Sequence, residues 1–190
     1  MINRRNGSET WVQSTGKTTL CNALAKELNL TEAEVVKEVA RHVMATQGWT
    51  RNDIGSVKMQ QAIIEAHLKA EEGRESCPIL LCDRSAIDAI AYAIMTSPTE
   101  AEAQRRQDLL VRLQGFESAL QKYRNSIFVL LAPVPEWLED DGIRSIENQS
   151  KCFDVFHSLL EKLGVPFRVI GPEMKSLDER VTAMKGLLGL

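Results

Sequence analysis

No apolar run in this sequence approaches the roughly twenty residues that cross a bilayer, and the amino terminus lacks the apolar core of a secretory leader. The cytoplasm is therefore the expected compartment. Cysteine is sparse: Cys21, Cys77, Cys82 and Cys152 show none of the paired short spacings of a zinc site and read as reduced thiols in or near the core. His42, His67 and His157 have no mutual metal-ligand spacing, and Trp49 and Trp137 are assigned to packing. An excess of positive charge is missing too. The formal net charge of −3 gives no general attraction to nucleic acid or an anionic membrane, so any polyanion must be held by a local site. Repeats, low-complexity tracts and linkers are absent. What remains is a chain of 190 residues, 44% apolar and 26% charged, which suits one domain over 1–190 with a sizeable core and an atypical stretch at 1–10.

Near the start the chain reads Ser14-Thr15-Gly16-Lys17-Thr18-Thr19-Leu20, the second half of a phosphate-binding loop running into a helix. In that order, backbone N–H groups around Gly16 point at phosphates, Lys17 reaches the β and γ oxygens and the Thr18 hydroxyl can ligate Mg²⁺. A nucleoside triphosphate, ATP or GTP, is the ligand this predicts, with Ser14, Thr15, Gly16, Lys17, Thr18 and Thr19 as its cradle. Leu20, Leu24 and Leu28 mark one helical face. The full pattern is incomplete upstream. Trp11 stands where the loop's first glycine belongs, and Asn3, Arg4, Arg5, Asn6, Gly7 and Ser8 cannot form the buried strand that should feed such a loop.

Hydrophobic periodicity predicts short strands at 34–37, 79–82, 127–131 and 166–170. Between them it predicts helices at 58–72, 86–95, 100–123, a stretch carrying Phe153 to Leu163 capped by Gly164, and 177–188. Unalternating strands separated by helices predict an α/β fold with a parallel sheet covered on both faces.

Ligands of such sheets bind beyond the carboxyl ends of the strands. Asp83-Arg84-Ser85 follows the strand at 79–82. Asp83 there can hold Mg²⁺ or take a proton from an attacking hydroxyl, and Arg84 can neutralise phosphoryl charge. The competing reading makes Asp83 a helix cap and leaves Arg84 solvated. Glu38 and Arg41 follow the Val35-Val36 run, three positions apart on one helical face, as a base and a phosphate or substrate clamp, or else as a surface pair. Within the polar segment 136–148, Glu139-Asp140-Asp141-Gly142-Ile143-Arg144 could form a lid that carries Arg144 over the phosphates.

Together, Thr15-Gly16-Lys17-Thr18-Thr19-Leu20, Glu38-Val39-Ala40-Arg41, Asp83-Arg84-Ser85 and the Arg144 segment resemble the NadR-type AAA domain family. Its relatives include the ribosylnicotinamide kinase domain of bacterial NadR and a group of nucleotide-binding trafficking proteins. The resemblance runs from Ser14 to about Leu188. It implies a P-loop NTPase, kinase-like three-layer sandwich with a mostly parallel sheet, using ATP or GTP with Mg²⁺. By the same resemblance Lys17 and Thr18 serve the triphosphate and metal, Glu38 and Arg41 match an acid and arginine after the second strand, and Asp83-Arg84-Ser85 is similar to an element of deoxynucleoside kinases. Glu38 and Asp83 both remain open as the base. Family members begin with an apolar strand and a glycine that this chain lacks. Each buried backbone group left unpaired by such a loss costs about 1–3 kcal/mol, against roughly 5–15 kcal/mol for a whole domain. The polar start is thus expected to reflect an incorrect gene model, a splice form or a decayed copy.

Three functions are compatible with these residues. The first is phosphoryl transfer from ATP or GTP to a hydroxyl of a small nucleoside-like molecule. The second is a nucleotide-binding switch or trafficking module, although no Asn-Lys-x-Asp guanine signature is present. The third is an inert form whose cradle is spoiled by Trp11. An assembling AAA+ motor gains no support, since neither an extra helical domain nor an arginine-finger segment is recognisable.

Overall fold

The computed structural model describes residues 15–37, 39–74, 76–137 and 146–190. In chain order its elements are α1 (Lys17–Glu27), β1 (Val35–Val36), α2 (Val39–Gln47), α3 (Val57–Glu71), β2 (Leu81–Cys82), α4 (Ala86–Met95), α5 (Glu100–Leu110), α6 (Phe116–Arg124), β3 (Phe128–Leu131), α7 (Ile146–Leu163), β4 (Phe167–Ile170) and α8 (Leu177–Leu188). The polypeptide divides into two compact units, one formed by the chain up to Leu30 with Asn125–Leu190, the other by Thr31–Arg124. The fold is α/β with parallel strands, as the periodicity predicts.

In the first unit β3 and β4 pair in parallel, Phe128 opposite Phe167 and Leu131 opposite Ile170, and the ladder continues through Ala132 N–H to the Ile170 carbonyl at 2.9 Å. The carboxyl ends of these strands meet the start of α1 in an apolar cluster of Leu20, Leu131 and Ile170, flanked by Val129, Met174, Val181 and Met184. Leu20 and Leu24 are both buried, which is what the one-face spacing of the first helix demands. Asn29, with φ 53°, ends α1: the Leu30 N–H reaches back to the Ala25 carbonyl and the Asn29 N–H to that of Lys26. Gly164 ends α7 in the same way at φ 66°, with Val165 and Gly164 donating to Leu160 and Glu161.

In the second unit β1 pairs in parallel with β2, Val35 opposite Leu81 and Val36 opposite Cys82. The Asp83 N–H then donates to the Val36 carbonyl at 3.1 Å, so the pairing carries straight into the next loop. α3 packs against α2 and α4, and α4 against α5. Ile63, Ile64, Ile87, Ile90, Leu110, Phe116 and Leu120 are buried here.

Two expectations change. The helix predicted over 100–123 is two helices, α5 and α6, because the chain turns between them and Gly115 takes φ 84°, a left-handed conformation that glycine alone adopts freely. On α5 Leu110 is buried and its neighbour Leu109 is 41% exposed. The strand expected at 79–82 pairs only over Leu81–Cys82, since its partner β1 offers only Val35–Val36. All four cysteines are free. Among the described residues no helix is long and apolar enough to cross a membrane.

Candidate phosphate loop and acceptor site

The sequence Thr15-Gly16-Lys17 becomes a helix entrance because Gly16 caps α1 with φ 73° and ψ 16°. That left-handed conformation costs any residue with a Cβ, and a glycine has no side-chain oxygen to occupy the first-turn N–H groups. The helix therefore opens with amide donors and the positive end of its dipole, an arrangement that suits an anion. Thr15 is buried, and its hydroxyl lies 3.1 Å from Lys17 Nζ, which draws the lysine back over the loop. Thr18 is half-buried in the first turn and Thr19 is exposed.

A residue far along the chain completes this entrance. Arg180, in the first turns of α8, is 1% exposed and donates from Nη1 to the Thr15 carbonyl at 2.6 Å and from Nε to the Met174 carbonyl at 2.6 Å. Its guanidinium lies 4.7 Å from the ring centroid of Trp137. A Cβ on Gly16 would come within 3.1 Å of the Trp137 ring and 3.2 Å of Arg180 Nη1, so glycine, arginine and tryptophan fill one another's space. Ser176 starts α8 by accepting from the Glu179 N–H, and a Lys175–Glu136 ion pair of 2.6 Å ties the turn beside Trp137 to the turn before α8. Trp137, expected to pack, is 38% exposed and has the Arg180 guanidinium over its ring.

In the second unit, β2 delivers Asp83-Arg84-Ser85. Ser85, not Asp83, caps α4: its hydroxyl accepts from the Ile87 N–H while Asp88 receives the Ser85 N–H. Asp83 Oδ1 is buried with no hydrogen-bond partner among the described residues. Arg84 is paired with Asp88 at 3.0 Å and lies 6.0 Å from the Tyr92 ring centroid. Burial opposes its charge, but Tyr92, Asp88 and Asp83 outweigh that and raise its pKa above the ordinary arginine value.

Two residues to which the sequence reading assigned no chemistry lie on α3. Gln60 and His67 are 1% and 2% exposed, two helical turns apart on one face. Gln60 donates to the Ile54 carbonyl at 2.7 Å, but its Oε1 and His67 Nδ1 have no partner among the described residues. Desolvation pulls the His67 pKa down to about 4, with Asp88 and Asp83 opposing and Arg84 assisting, so the ring is neutral near pH 7 beside the Asp83-Arg84 segment.

Arg41 is exposed on α2. Ser14, Glu38, Arg144 and Trp11 lie outside the described residues, and so do the acids at 139–141. No group of three or more His, Cys, Asp or Glu side chains among the described residues is arranged to hold a metal ion.

Comparison with known proteins bears on the fold. The chain is similar over 93% of its length to 94% of a solved deoxyadenosine kinase from M. mycoides, whose structure has dCMP and a flexible dCDP bound, at 15% identity and a TM-score of 0.58. At that identity the likeness is one of fold. No curated protein sequence shows significant similarity. The model of one family, described as the AAA domain, matches residues 12–180, which takes in the loop, the Asp83-Arg84-Ser85 element and Arg180. The chain belongs to the AAA domain family.

Proposed function

We propose that this chain binds a nucleoside triphosphate at Thr15-Gly16-Lys17-Thr18 and transfers its γ-phosphoryl group to a hydroxyl of a small nucleoside-like molecule. The observation that carries this reading is the α1 entrance: a left-handed glycine cap with no side-chain acceptor, followed at once by a lysine drawn over the loop. The kinase-like fold, shared with a deoxyadenosine kinase, supports it. A NadR-type acceptor such as nicotinamide riboside belongs to the same proposal, on the strength of the motif order.

The first-turn N–H groups and Lys17 bind the phosphates and hold the γ-phosphorus in place; catalysis of this kind is mostly positioning and charge neutralisation. The acceptor oxygen forms its bond to the γ-phosphorus as the bond to the bridging oxygen breaks, and the hydroxyl proton passes to a carboxylate. Asp83 or Glu38 takes that proton. The uncapped Oδ1 of Asp83 is an available acceptor. Arg84, held by Asp88, supplies fixed positive charge. Gln60 Oε1 is a buried acceptor and His67 Nδ1 a buried acceptor or donor, and a polar acceptor molecule would satisfy both.

Magnesium suits the chemistry of these donors. The Thr18 hydroxyl in the first unit and the Asp83 carboxylate in the second are each hard oxygen ligands, and the ion needs only one such group beside the phosphates. When bound, it would neutralise charge on the β and γ oxygens.

Calorimetric titration with ATP and GTP, each with Mg²⁺, tests the first half of the proposal. Micromolar binding that Lys17→Ala abolishes is the expected result. Phosphotransfer on a nucleoside panel that includes nicotinamide riboside and deoxyadenosine tests the second half. Tight nucleotide binding without turnover of any acceptor would refute the kinase reading and favour a nucleotide switch.

A further inference from the structure

We infer that Arg180 is a positioning residue for the phosphate loop, acting from the last helix of the chain on the amide that faces the nucleotide. This rests on the proposed nucleotide site and deepens it. The Thr15 carbonyl and the Gly16 N–H are the two ends of one peptide plane. A guanidinium that donates to that carbonyl at 2.6 Å does two things. It fixes the orientation of the plane, and so the direction of the Gly16 N–H. It also polarises the amide, because a charge-assisted bond at the oxygen strengthens the hydrogen-bond donor at the nitrogen.

The surroundings serve that one contact. Arg180 is the fully buried residue of α8, on a face otherwise carrying Val181 and Met184. An arginine at such a position is costly unless its bonds are fixed. Its Nε is anchored by the Met174 carbonyl and Nη1 by that of Thr15, so two bonds set the plane of the fork, while Nη2 is buried without a partner among the described residues. Trp137 covers the guanidinium face at 4.7 Å and touches Gly16 from the same side. Desolvation works against the charge, which sharpens the demand for the Thr15 and Met174 carbonyls. Lysine could supply the charge at this position but not two divergent donors in one plane.

The test compares parent, Arg180→Met, Arg180→Lys and Lys17→Ala, in full-length protein, by calorimetry with ATP, ADP and adenosine and by the amide proton shift of Gly16 in the nucleotide-free state. Arg180→Met is expected to weaken ATP and ADP about tenfold or more, to leave adenosine unchanged and to move the Gly16 amide proton upfield. Arg180→Lys should recover part of both effects. A rise in KM for the triphosphate with an unchanged acceptor KM is the matching kinetic signature. If Lys17→Ala abolishes binding while Arg180→Met stays within about twofold of the parent and the Gly16 resonance does not move, the inference is overturned. If no variant affects ATP because the parent does not bind it, the nucleotide reading has failed, and the Gly16 shift alone decides whether Arg180 polarises the loop. Should Arg180→Met not fold, Arg180→Lys carries the same comparison against parent.

Discussion

Replacing Gly16 with alanine separates two costs that the loop geometry combines. The first is backbone strain: a residue with a Cβ at φ 73° costs about 1–2 kcal/mol relative to glycine. The second is steric. The new methyl group would stand 3.1 Å from the Trp137 ring and 3.2 Å from Arg180 Nη1, tighter than ordinary contact by a few tenths of an ångström. Trp137 is 38% exposed and can yield toward solvent, whereas Arg180 is buried and tied by two hydrogen bonds. Displacing a held side chain by that much costs about 1 kcal/mol, the scale of an off-rotamer adjustment. The sum is about 2–3 kcal/mol, which for a chain of this size lowers Tm by roughly 4–12 °C. Gly73 supplies the control. It has φ 74° with nothing within 4 Å of its missing Cβ, so Gly73→Ala should show the strain cost alone. Thermal melting of both variants, with and without ATP and Mg²⁺, gives the difference. Equal destabilisation by the two substitutions, or a Gly16→Ala protein that melts and binds nucleotide like the parent, would refute the close packing of Gly16, Trp137 and Arg180.

Three further outcomes follow from the second unit. His67, with its pKa pulled from 6.5 to about 4, favours the folded state most above pH 6.5; as pH falls the unfolded chain takes up this proton first, and stability drops by about 3 kcal/mol by pH 4. Denaturant titrations should show that slope in the parent and its loss in His67→Gln; parallel pH profiles would contradict it. Ser85→Ala removes the α4 cap and should cost about 1 kcal/mol, read as a fall in denaturant midpoint. Asp83→Asn removes a charge that supports the buried Arg84 and should lower the denaturant midpoint modestly, and it should lower phosphoryl transfer by about 10²-fold or more if Asp83 is the base. Unchanged turnover would pass that role to Glu38.

The legible parts of this chain are those where local chemistry decides the outcome. Gly16-Lys17-Thr18 announces a glycine-capped helix entrance, and the spacing of Leu20 and Leu24 fixes which face of α1 is buried. Gly164 stops α7 by taking the left-handed turn that leads through Val165 and Pro166 into β4. The break before α6 was also written in the sequence, at Gly115, but the apolar stripe through Leu110, Leu113 and Phe116 keeps helical spacing across the turn and masks it. Arg180 was not legible in the same sense. Its spacing places it on the Val181–Met184 side of α8, a hint that it is buried, yet its partner Thr15 is 165 positions away and spacing carries no information over that range. Gln60 and His67 escaped for a related reason: on a helical stripe with Ile63 and Ile64 they pass for tolerated polar neighbours, and only their unpaired buried atoms set them apart.

On the proposed reading, those unpaired atoms bear on why the second unit has this composition. A buried polar group without a partner costs about 1–3 kcal/mol, and Gln60 Oε1, His67 Nδ1 and Asp83 Oδ1 all carry that cost within one unit. An apolar residue at His67 would avoid that cost, whereas one at Gln60 would also take away the donor to the Ile54 carbonyl. On the proposed reading the expense is recovered when an acceptor molecule supplies the missing donors and acceptors, and binding then stabilises the unit by mass action. On the same reading the phosphate loop works differently: Arg180 holds one peptide plane through Nη1 and Nε before any nucleotide arrives, even though its Nη2 is itself buried without a partner among the described residues.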